Sequence, residues 1–329
     1  MSAARSSSKK RIAIAIGDPA GIGCEVLLKA LKLPEIRSIC DPVIVGDAWL
    51  VRRCNESMRI GCELRSVDSH GELRFDGKAL EILNVPARNQ AGFEFGVVDA
   101  DNGRALIEYA GRAIRLAEDG VVDSALGAPH NQTSVRRAGI AFDGYPGFVA
   151  RQTGTPEDDV FLLLASKSYC ICHVTLHLPV RLAIERIRRA HVLKAIRATH
   201  AALRKMGLPA PRIAVSGLNP HAGENGLFGR EEIDEIAPAI ADAKAAGVHV
   251  AGPFGADVMF VQGGYDGYVV MLHDQGHIPG KLEPGSAGFY AGAPVLFGSV
   301  AHGSAHDIAG KGIADPASMV NALRWAARA

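Results

Sequence analysis

The sequence predicts an α/β protein organised in two domains. Short apolar runs recur along the chain, and most end in a glycine-rich or polar loop that leads into a segment with helical spacing of apolar residues. The chain has 329 residues, more than one ordinary hydrophobic core accommodates. Hydrophobic residues make up 48% of it and charged residues 22%, which is typical of a globular enzyme.

Apolar patterning predicts the elements in order. Residues 56–95 are expected to be irregular, with short hairpin-like strands. Strands are predicted at 11–16, 42–45, 124–127, 159–165, 169–175, 211–216, 249–252, 268–272 and 294–297. Helices are predicted at 25–33, 99–119, 180–206, 230–246 and 317–327.

Composition excludes several classes of protein. The net charge of +1 indicates neither a nucleic-acid nor a membrane partner. No stretch approaches the roughly 20 apolar residues of a membrane helix. The polar start of the chain lacks the apolar core of a secretory signal, so we expect a cytoplasmic protein with a disordered tail at 1–10. The six cysteines form no C-x-x-C pair and are interpreted as core residues.

Reactive polar side chains are most concentrated just after the apolar run 268–272. This run is flanked on both sides by residues typical of turns. In an open α/β sheet, ligands bind just beyond the carboxyl ends of strands. We therefore expect a functional loop here, containing His273, Asp274, His277 and Lys281. Asp274 and Asp257 are interpreted as groups that orient imidazoles or act as bases, with capping or surface carboxylates as the alternative. Lys281 is interpreted as an acid/base group or a carboxylate binder, with a solvated surface lysine as the alternative.

Three histidines share one context. His177, His221 and His273 each lie in the first few residues past a predicted buried strand. Loops at one edge of a sheet converge, and three neutral imidazoles with an open position suit catalytic zinc or another borderline divalent metal. The alternative for each histidine taken alone is a hydrogen-bonded loop or core residue.

Two glycine-rich loops are candidates for nucleotide contact. The loop 17–23 lacks both the third glycine of a dinucleotide fingerprint and the lysine of a P-loop, so a plain tight turn is equally compatible. The compact loop 302–316 has small residues where a flat ligand needs close backbone approach, which favours nucleotide binding.

Five motifs resemble those of the 4-hydroxythreonine-4-phosphate dehydrogenase family. They are GDPAGIG (17–23), NPHAGE (219–224), FGREEID (228–234), HDQG (273–276) and HGSA (302–305), and the resemblance runs from about residue 11 to the C-terminus. It implies the isocitrate/isopropylmalate dehydrogenase-like fold, with two α/β/α domains and a cleft between them. The implied domains are 11–135 with 282–329, carrying the nucleotide loop, and 136–281, carrying the metal ligands and a dimer interface.

The resemblance also implies roles for individual residues. The metal ligands fall on His177, His221 and His273, and a substrate-binding lysine falls on Lys281. The site is expected to be shared between two subunits of a homodimer, for example with His273 from one chain and the other two ligands from its partner. The NAD or NADP contacts fall on His302, Gly303, Ser304, Ala305, Asp307, Ala309, Gly310 and Asp315.

Departures from the family pattern bear on the substrate. A Gly-His-Thr-Glu substrate loop is replaced by GYPG (144–147), a lysine by Gln132, and a phosphate-holding arginine by Phe297; an asparagine aligns, less surely, with Gly288. A buried phosphate needs charged donors, so these losses count against a phosphorylated substrate. The changes resemble the terephthalate dihydrodiol dehydrogenase branch. The substrate contacts are then expected at His130, Tyr145, Pro146, His277, Lys281 and Phe297.

The function expected from this branch is oxidative decarboxylation of a cis-dihydrodiol cyclohexadiene dicarboxylate, terephthalate dihydrodiol to protocatechuate, with hydride transfer to NAD(P). The runner-up is dehydrogenation of 4-phosphohydroxy-threonine or a related phosphorylated four-carbon hydroxy acid, with the phosphate held by cations such as Arg136 or Arg137. A zinc hydrolase would use the same histidines to activate water, but it has no need of a nucleotide loop. A metal-binding module without catalysis is the remaining alternative.

Overall fold

The computed structural model describes residues 9–283 and 285–328. The predicted disordered tail lies mostly outside these residues, although Lys10 already begins the first strand. The strands are β1 (Lys10–Ala15), β2 (Cys40–Gly46), β3 (Leu64–Val67), β4 (Leu80–Asn84), β5 (Ser124–Gly127), β6 (Phe161–Ala165), β7 (Cys170–His173), β8 (Ile213–Ser216), β9 (Val250–Phe254), β10 (Gly267–Val270), β11 (Ala287–Ala291) and β12 (Phe297–Val300).

The α-helices are α1 (Gly23–Lys32), α2 (Pro34–Ile39), α3 (Ala48–Ser57), α4 (Ala100–Glu118), α5 (Gln132–Arg137), α6 (Tyr145–Thr153), α7 (Val180–Arg186), α8 (Arg189–Lys205), α9 (Ala237–Ala245), α10 (Ala256–Gln262), α11 (His273–Leu282) and α12 (Ala317–Ala326). None of these described helices is both long enough and apolar enough to cross a membrane.

Of the described residues, the first of two compact units contains 9–148 and 295–328. Its strands pair in the order β3-β4-β2-β1-β5-β12, and all of these pairings are parallel. The parallel β3–β4 pairing corrects the expectation of hairpin-like strands at 56–95. From Ile12 to Ala15, β1 is completely buried, as expected for a central strand covered on both faces.

The second unit contains residues 149–294. Its strands pair in the order β11-β6-β7-β10-β8-β9. β6 runs antiparallel to both β11 and β7, whereas β7, β10, β8 and β9 run parallel to one another. The sequence-based domain limits, 135/136 and 281/282, each fall before the limits found here. The α/β class predicted from the sequence is confirmed.

The segment after β10 is a helix, not the loop expected from its polar composition. α11 begins at His273 itself, and it is held at its start by Gln275. The Oε1 atom of Gln275 accepts hydrogen bonds from the backbone N–H groups of Met271 and Leu272, both at 3.0 Å. Its Nε2 group donates to the carbonyl of Gly217 at 3.1 Å, which ties the start of α11 to the end of β8.

Two glycines one helical turn apart let α11 pack tightly on the sheet. A Cβ atom at Gly276 would lie 2.4 Å from Nε2 of His173 and 2.8 Å from the side chain of Ile171. A Cβ atom at Gly280 would lie 2.5 Å from the side chain of Leu164. α11 thereby lies close against β7 and β6.

Gly276→Ala is expected to lower the free energy of unfolding by about 1–3 kcal/mol, because the methyl group overpacks the helix against β7. Urea denaturation measures this change. Gly71→Ala is the matched control, since its nearest atom is 3.7 Å away, and its effect should stay within about 0.5 kcal/mol. Equal stabilities of the two variants would contradict the tight packing of α11.

Candidate active site

Three neighbouring parallel strands of the second unit carry the predicted metal ligands past their carboxyl ends. β10 pairs with β7 on one side and with β8 on the other. His177 follows β7, His273 follows β10 and His221 follows β8. The hydroxyl group of Thr175 donates to the carbonyl of Met271 at 2.7 Å, which joins the first two of these strand ends.

His177 and His273 lie side by side. Their ring centroids are 5.8 Å apart. Both line a cavity of about 340 Å³ whose other walls are the segment Thr175–Val180, Ala183, Leu272 and Asp274. The Nδ1 atom of His273 is 2.6 Å from the carboxylate of Asp274. A carboxylate at Nδ1 orients an imidazole so that Nε2 is available as a ligand.

His221 lies on a strained turn. Its backbone φ is 51°, and φ is also positive in the next four residues, Ala222 to Asn225, of which only one is glycine. Left-handed backbone costs a residue other than glycine roughly 1–2 kcal/mol. Strain of this size persists where the surrounding structure imposes it, and it is frequent at functional sites.

A buried carboxylate holds the chain that leads into this turn. Glu232 is only 3% exposed. It accepts hydrogen bonds from the backbone N–H groups of Leu218 at 2.7 Å and Asn219 at 2.8 Å, and from the side-chain amide of Asn219 at 2.9 Å. A Cβ atom at Gly223 would come within 2.6 Å of the same carboxylate. Sequence reasoning missed Glu232, although it lies in the FGREEID motif.

The three histidines do not meet within one chain. In the described parts of the chain, no three His, Cys, Asp or Glu side chains lie close enough together to hold a metal ion. The donor chemistry nevertheless suits a divalent metal, because Asp274 contacts His273 and the carboxylate of Glu224 lies 3.5 Å from Nδ1 of His221. Asp257 lies exposed in the first turn of α10.

One face of α11 carries His273, His277 and Lys281 at successive turns. The rings of His273 and His277 are stacked, with centroids 3.8 Å apart and planes inclined by 11°. Behind them lies His173, a residue that sequence reasoning did not select, with Nε2 3.0 Å from Nδ1 of His277. Burial, reinforced by neighbouring histidines, lowers the pKa of His173 to about 3 and that of His277 to about 4.

In the first unit, the loop 302–316 is anchored from two sides. The N–H of Ile22 donates to the carbonyl of Ser304 at 2.9 Å, and a Cβ atom at Gly21 would lie 2.8 Å from Ser304. Lys29 donates to the carbonyls of Gly312 and Ala314. The buried carboxylate of Glu25 accepts from both Lys29 and the N–H of Ala314, each at 2.7 Å. Gly21 therefore serves close packing against the predicted nucleotide loop, whereas Gly17 and Gly23 lie close to Ala128.

The predicted nucleotide-binding residues lie along this anchored loop. Ser304, Ala309 and the neighbouring Ala314 are buried, and Gly303, Asp307 and Asp315 are exposed. His302 and Gly310 are partly buried, as is Ala305, whose φ is 40°. Buried residues fix the backbone while exposed ones remain accessible, which is compatible with a flat ligand lying on the loop.

His306 is a further polar residue of this loop that the sequence-based selection missed. Its Nδ1 atom is 3.0 Å from the side-chain amide nitrogen of Asn131, which can only donate, so Nδ1 is the acceptor. In the neutral ring Nε2 then carries the proton and faces the buried carboxylate of Asp18 at 3.4 Å. This Nε2 is buried and the contact is too poorly aligned to be a hydrogen bond. Asp18 also accepts from the hydroxyl of Ser134 at 2.7 Å.

The predicted substrate residues of the first unit form an aromatic cluster. Tyr145 and Phe297 are completely buried with ring centroids 5.2 Å apart, and the hydroxyl of Tyr145 donates to the carbonyl of Ala128 at 3.1 Å. Both rings lie in the core of this unit, and their direct contact with a substrate stays a prediction. Only His130 and Pro146 of this set are partly exposed. His130 packs edge-on against Tyr145 at 4.8 Å.

The chain is similar to known proteins over most of its length. The model of the family described as pyridoxal phosphate biosynthetic protein PdxA matches residues 38–326. A 1,2-dihydroxy-3,5-cyclohexadiene-1,4-dicarboxylate dehydrogenase from Comamonas sp. is 39% identical over 319 residues, 95% of this chain and 96% of the relative. A D-threonate 4-phosphate dehydrogenase from Cupriavidus necator is also 39% identical, over 322 residues and 96% of both chains.

Similarity extends to solved structures. A crystal structure of a 4-hydroxythreonine-4-phosphate dehydrogenase from Burkholderia phymatum superposes with a TM-score of 0.89 at 36% identity, over 98% of each chain. A match of this extent means that the two chains share one fold. The resemblance inferred from the five sequence motifs is thereby confirmed.

Acid is expected to destabilise the protein through His130. Burial lowers the pKa of His130 from 6.5 to about 4, against a smaller opposing effect of the Asp18 carboxylate. Between these pH values the unfolded chain binds more protons than the folded one. The contribution of neutral His130 to the free energy of unfolding is therefore fully present above pH 6.5. It amounts to ~3 kcal/mol and is lost as the pH falls towards 4.

His130→Phe keeps an aromatic ring in the cluster and removes this titration. Its free energy of unfolding, measured by urea denaturation between pH 4 and 7, should fall less steeply with decreasing pH than that of the wild type. Parallel curves for the two proteins would mean that His130 titrates normally in the folded state.

Proposed function

The chain belongs to the PdxA family of pyridoxal phosphate biosynthetic proteins, and on that premise we propose that it is a metal-dependent dehydrogenase. Its proposed reaction is the oxidative decarboxylation of a cis-dihydrodiol cyclohexadiene dicarboxylate with NAD(P), which gives an aromatic diol carboxylate. Loss of CO2 restores the aromatic ring and makes the second step strongly favourable.

The observation that carries the substrate assignment is the aromatic environment of His130. Phe142 and Tyr145 pack against its ring, and Phe297 packs behind Tyr145. A buried phosphate needs charged donors. His130, with its pKa near 4, is neutral at pH 7 and supplies no such charge. A ring substrate without phosphate suits these surroundings, and the Comamonas relative bears the name of a dehydrogenase for a substrate of this kind.

A bound nicotinamide cofactor supplies the hydride acceptor, and a divalent metal such as zinc supplies Lewis acidity towards the substrate oxygens. The loop 302–316 is the proposed cofactor site, and His177, His221 and His273 are the proposed metal ligands. Asp274 orients His273 through their 2.6 Å contact. The ammonium group of Lys281, exposed two turns further along α11, binds a substrate carboxylate or moves a proton.

The second candidate is dehydrogenation of a phosphorylated four-carbon hydroxy acid. It is favoured by the Cupriavidus relative, whose identity to this chain equals that of the Comamonas relative. Arg136 and Arg137, exposed on α5, are the cations available for a phosphate in that case.

We also propose that the protein is a homodimer with a shared metal site. Among the described residues, eleven of the fourteen exposed large apolar side chains belong to the second unit, including Val261, Leu282 and Val180 at 85%, 81% and 66% exposure. Burying such side chains against a second copy is favourable. Because His177 lies beside His273 in one chain, the proposed third ligand is His221 of the partner subunit. This assignment replaces the pairing of His177 with His221 considered from the sequence.

The reaction is tested by comparing turnover of terephthalate cis-dihydrodiol with that of D-threonate 4-phosphate and 4-phosphohydroxy-threonine, with NAD and NADP, in protein loaded with zinc. The expected result is reduction of the cofactor and release of CO2, with a kcat/KM for the diol at least tenfold higher than for either phosphorylated acid. Removal of the metal by chelation should abolish this activity, and added zinc should restore it. A higher kcat/KM for a phosphorylated acid would favour the second candidate.

Mixing inactive variants tests the shared site. His221→Ala refolded together with His177→Ala, or with His273→Ala, should yield heterodimers with one intact site and about a quarter of wild-type activity. His177→Ala refolded with His273→Ala should regain none. Zinc content and a demonstration of subunit exchange are the controls. Rescue of the last mixture would place His177 and His273 on different chains, and no rescue in any mixture would place all three ligands in one chain.

A further inference from the structure

His173 has no role in the chemistry described so far, yet it is one of the most buried polar residues of the second unit. It is the last residue of β7 and is 1% exposed. Its Nδ1 atom lies 3.3 Å from the backbone carbonyl of Leu162, on the antiparallel neighbour β6. A carbonyl only accepts hydrogen bonds, so Nδ1 of His173 carries a proton.

The position of that proton determines the remaining contacts. Desolvation opposes charge on so buried a ring, and the ionisable groups around it are His277, His273 and His177 rather than carboxylates. A neutral His173 with its proton on Nδ1 has a lone pair on Nε2. This atom lies 3.0 Å from Nδ1 of His277, which must therefore donate. A His277 ring with its single proton on Nδ1 has its lone pair on Nε2.

Packing keeps this chain of contacts in place. Gly276, the residue before His277, brings the helix so close that a Cβ atom there would lie 2.4 Å from Nε2 of His173. The stack of His277 on His273, with 3.8 Å between centroids, limits rotation of the ring. His277 is thus located between a proposed metal ligand and Lys281, one turn away on the same helix face.

We propose that His173 is a positioning residue that sets the tautomer of His277, so that Nε2 of His277 accepts a hydrogen bond from a substrate hydroxyl group. The inference rests on the proposed function. It assigns separate partners to two groups of the substrate, because Lys281 binds the carboxylate while His277 accepts from the hydroxyl group on the neighbouring carbon. His277 selects for the hydroxyl, and His173 acts only through His277.

The tautomer is tested directly by long-range 15N–1H NMR of the zinc-loaded protein labelled at histidine nitrogens, with His277→Leu assigning the His277 signals. The expected result is a protonated Nδ1 and an unprotonated Nε2 on His277 in the wild type. His173→Leu, which removes the acceptor, should yield a mixture of tautomers. His173→Gln, whose amide oxygen can accept from Nδ1, should restore the wild-type pattern. Protonation of His277 at Nε2 in the wild type would overturn the proposal, whatever the substrate is.

A mutant cycle on the diol substrate tests the functional consequence. His173→Leu and His277→Leu should each lower kcat/KM by about tenfold, the worth of one hydrogen bond, and the double variant should lose no more than either alone. His173→Gln should recover most of the loss. His191→Leu is the control, because His191 is a partly buried histidine that contacts the carbonyl of Val174 at 3.1 Å and takes no part in the His173–His277 contact. This substitution should change kcat/KM less than threefold.

The two readouts separate failure of the proposal from failure of the proposed function. Additive losses in the double variant would show that His173 acts independently of His277 and would overturn the positioning role. If the wild type turns over no diol but shows the expected His277 tautomer and its dependence on His173, the positioning role stands and the substrate assignment falls. Melting temperatures and zinc content of every variant identify losses that come from misfolding.

Discussion

The parallel pairing of β7, β10 and β8 is the constraint on which the candidate metal site depends. Parallel strands leave all their carboxyl ends at one edge of the sheet, so three histidines far apart in sequence reach the same region. Side-chain hydrogen bonds then tie these ends together. Gln275 joins the end of β10 to that of β8, and Thr175 joins the end of β7 to that of β10. Gln275 also accepts from the backbone N–H groups of Met271 and Leu272, where the ladder stops.

Buried polar side chains, rather than regular secondary structure, hold the functional loops. Glu232 accepts three hydrogen bonds from the residues that precede the left-handed turn of His221. Glu25 and Lys29 hydrogen-bond to the backbone of residues 312–314. Hydrogen bonds to charged groups contribute about 1.5–3 kcal/mol each. Several of them together offset a strained turn at roughly 1–2 kcal/mol per residue. The loops carry the chemistry, and the buried carboxylates keep them in one conformation.

The histidines of the second unit illustrate how burial assigns different tasks to one residue type. His177 and His221 are exposed, whereas His173 is buried and neutral. His277 lies between these extremes, in contact with both His173 and His273. In the first unit, His130 is neutral because of its aromatic surroundings, and His306 faces the buried carboxylate of Asp18. Residue type alone distinguishes none of these roles.

The sequence by itself determined the α/β class, the family, the position of most strands and the choice of His177, His221 and His273. These inferences depend on local apolar patterns and on motifs, which are properties of neighbouring residues. The polar run after β10 was predicted as a loop from its composition, but it forms the helix α11, whose glycines Gly276 and Gly280 lie close against the sheet. The tertiary structure alone decided that Tyr145 and Phe297 lie in the core and that His177 lies beside His273 rather than His221. It also brought His173, Glu232 and His306 to their partners. Contacts between distant segments decide the burial and the hydrogen-bond partners of these side chains. Both depend on which strands pair, and the local sequence pattern does not specify the pairing.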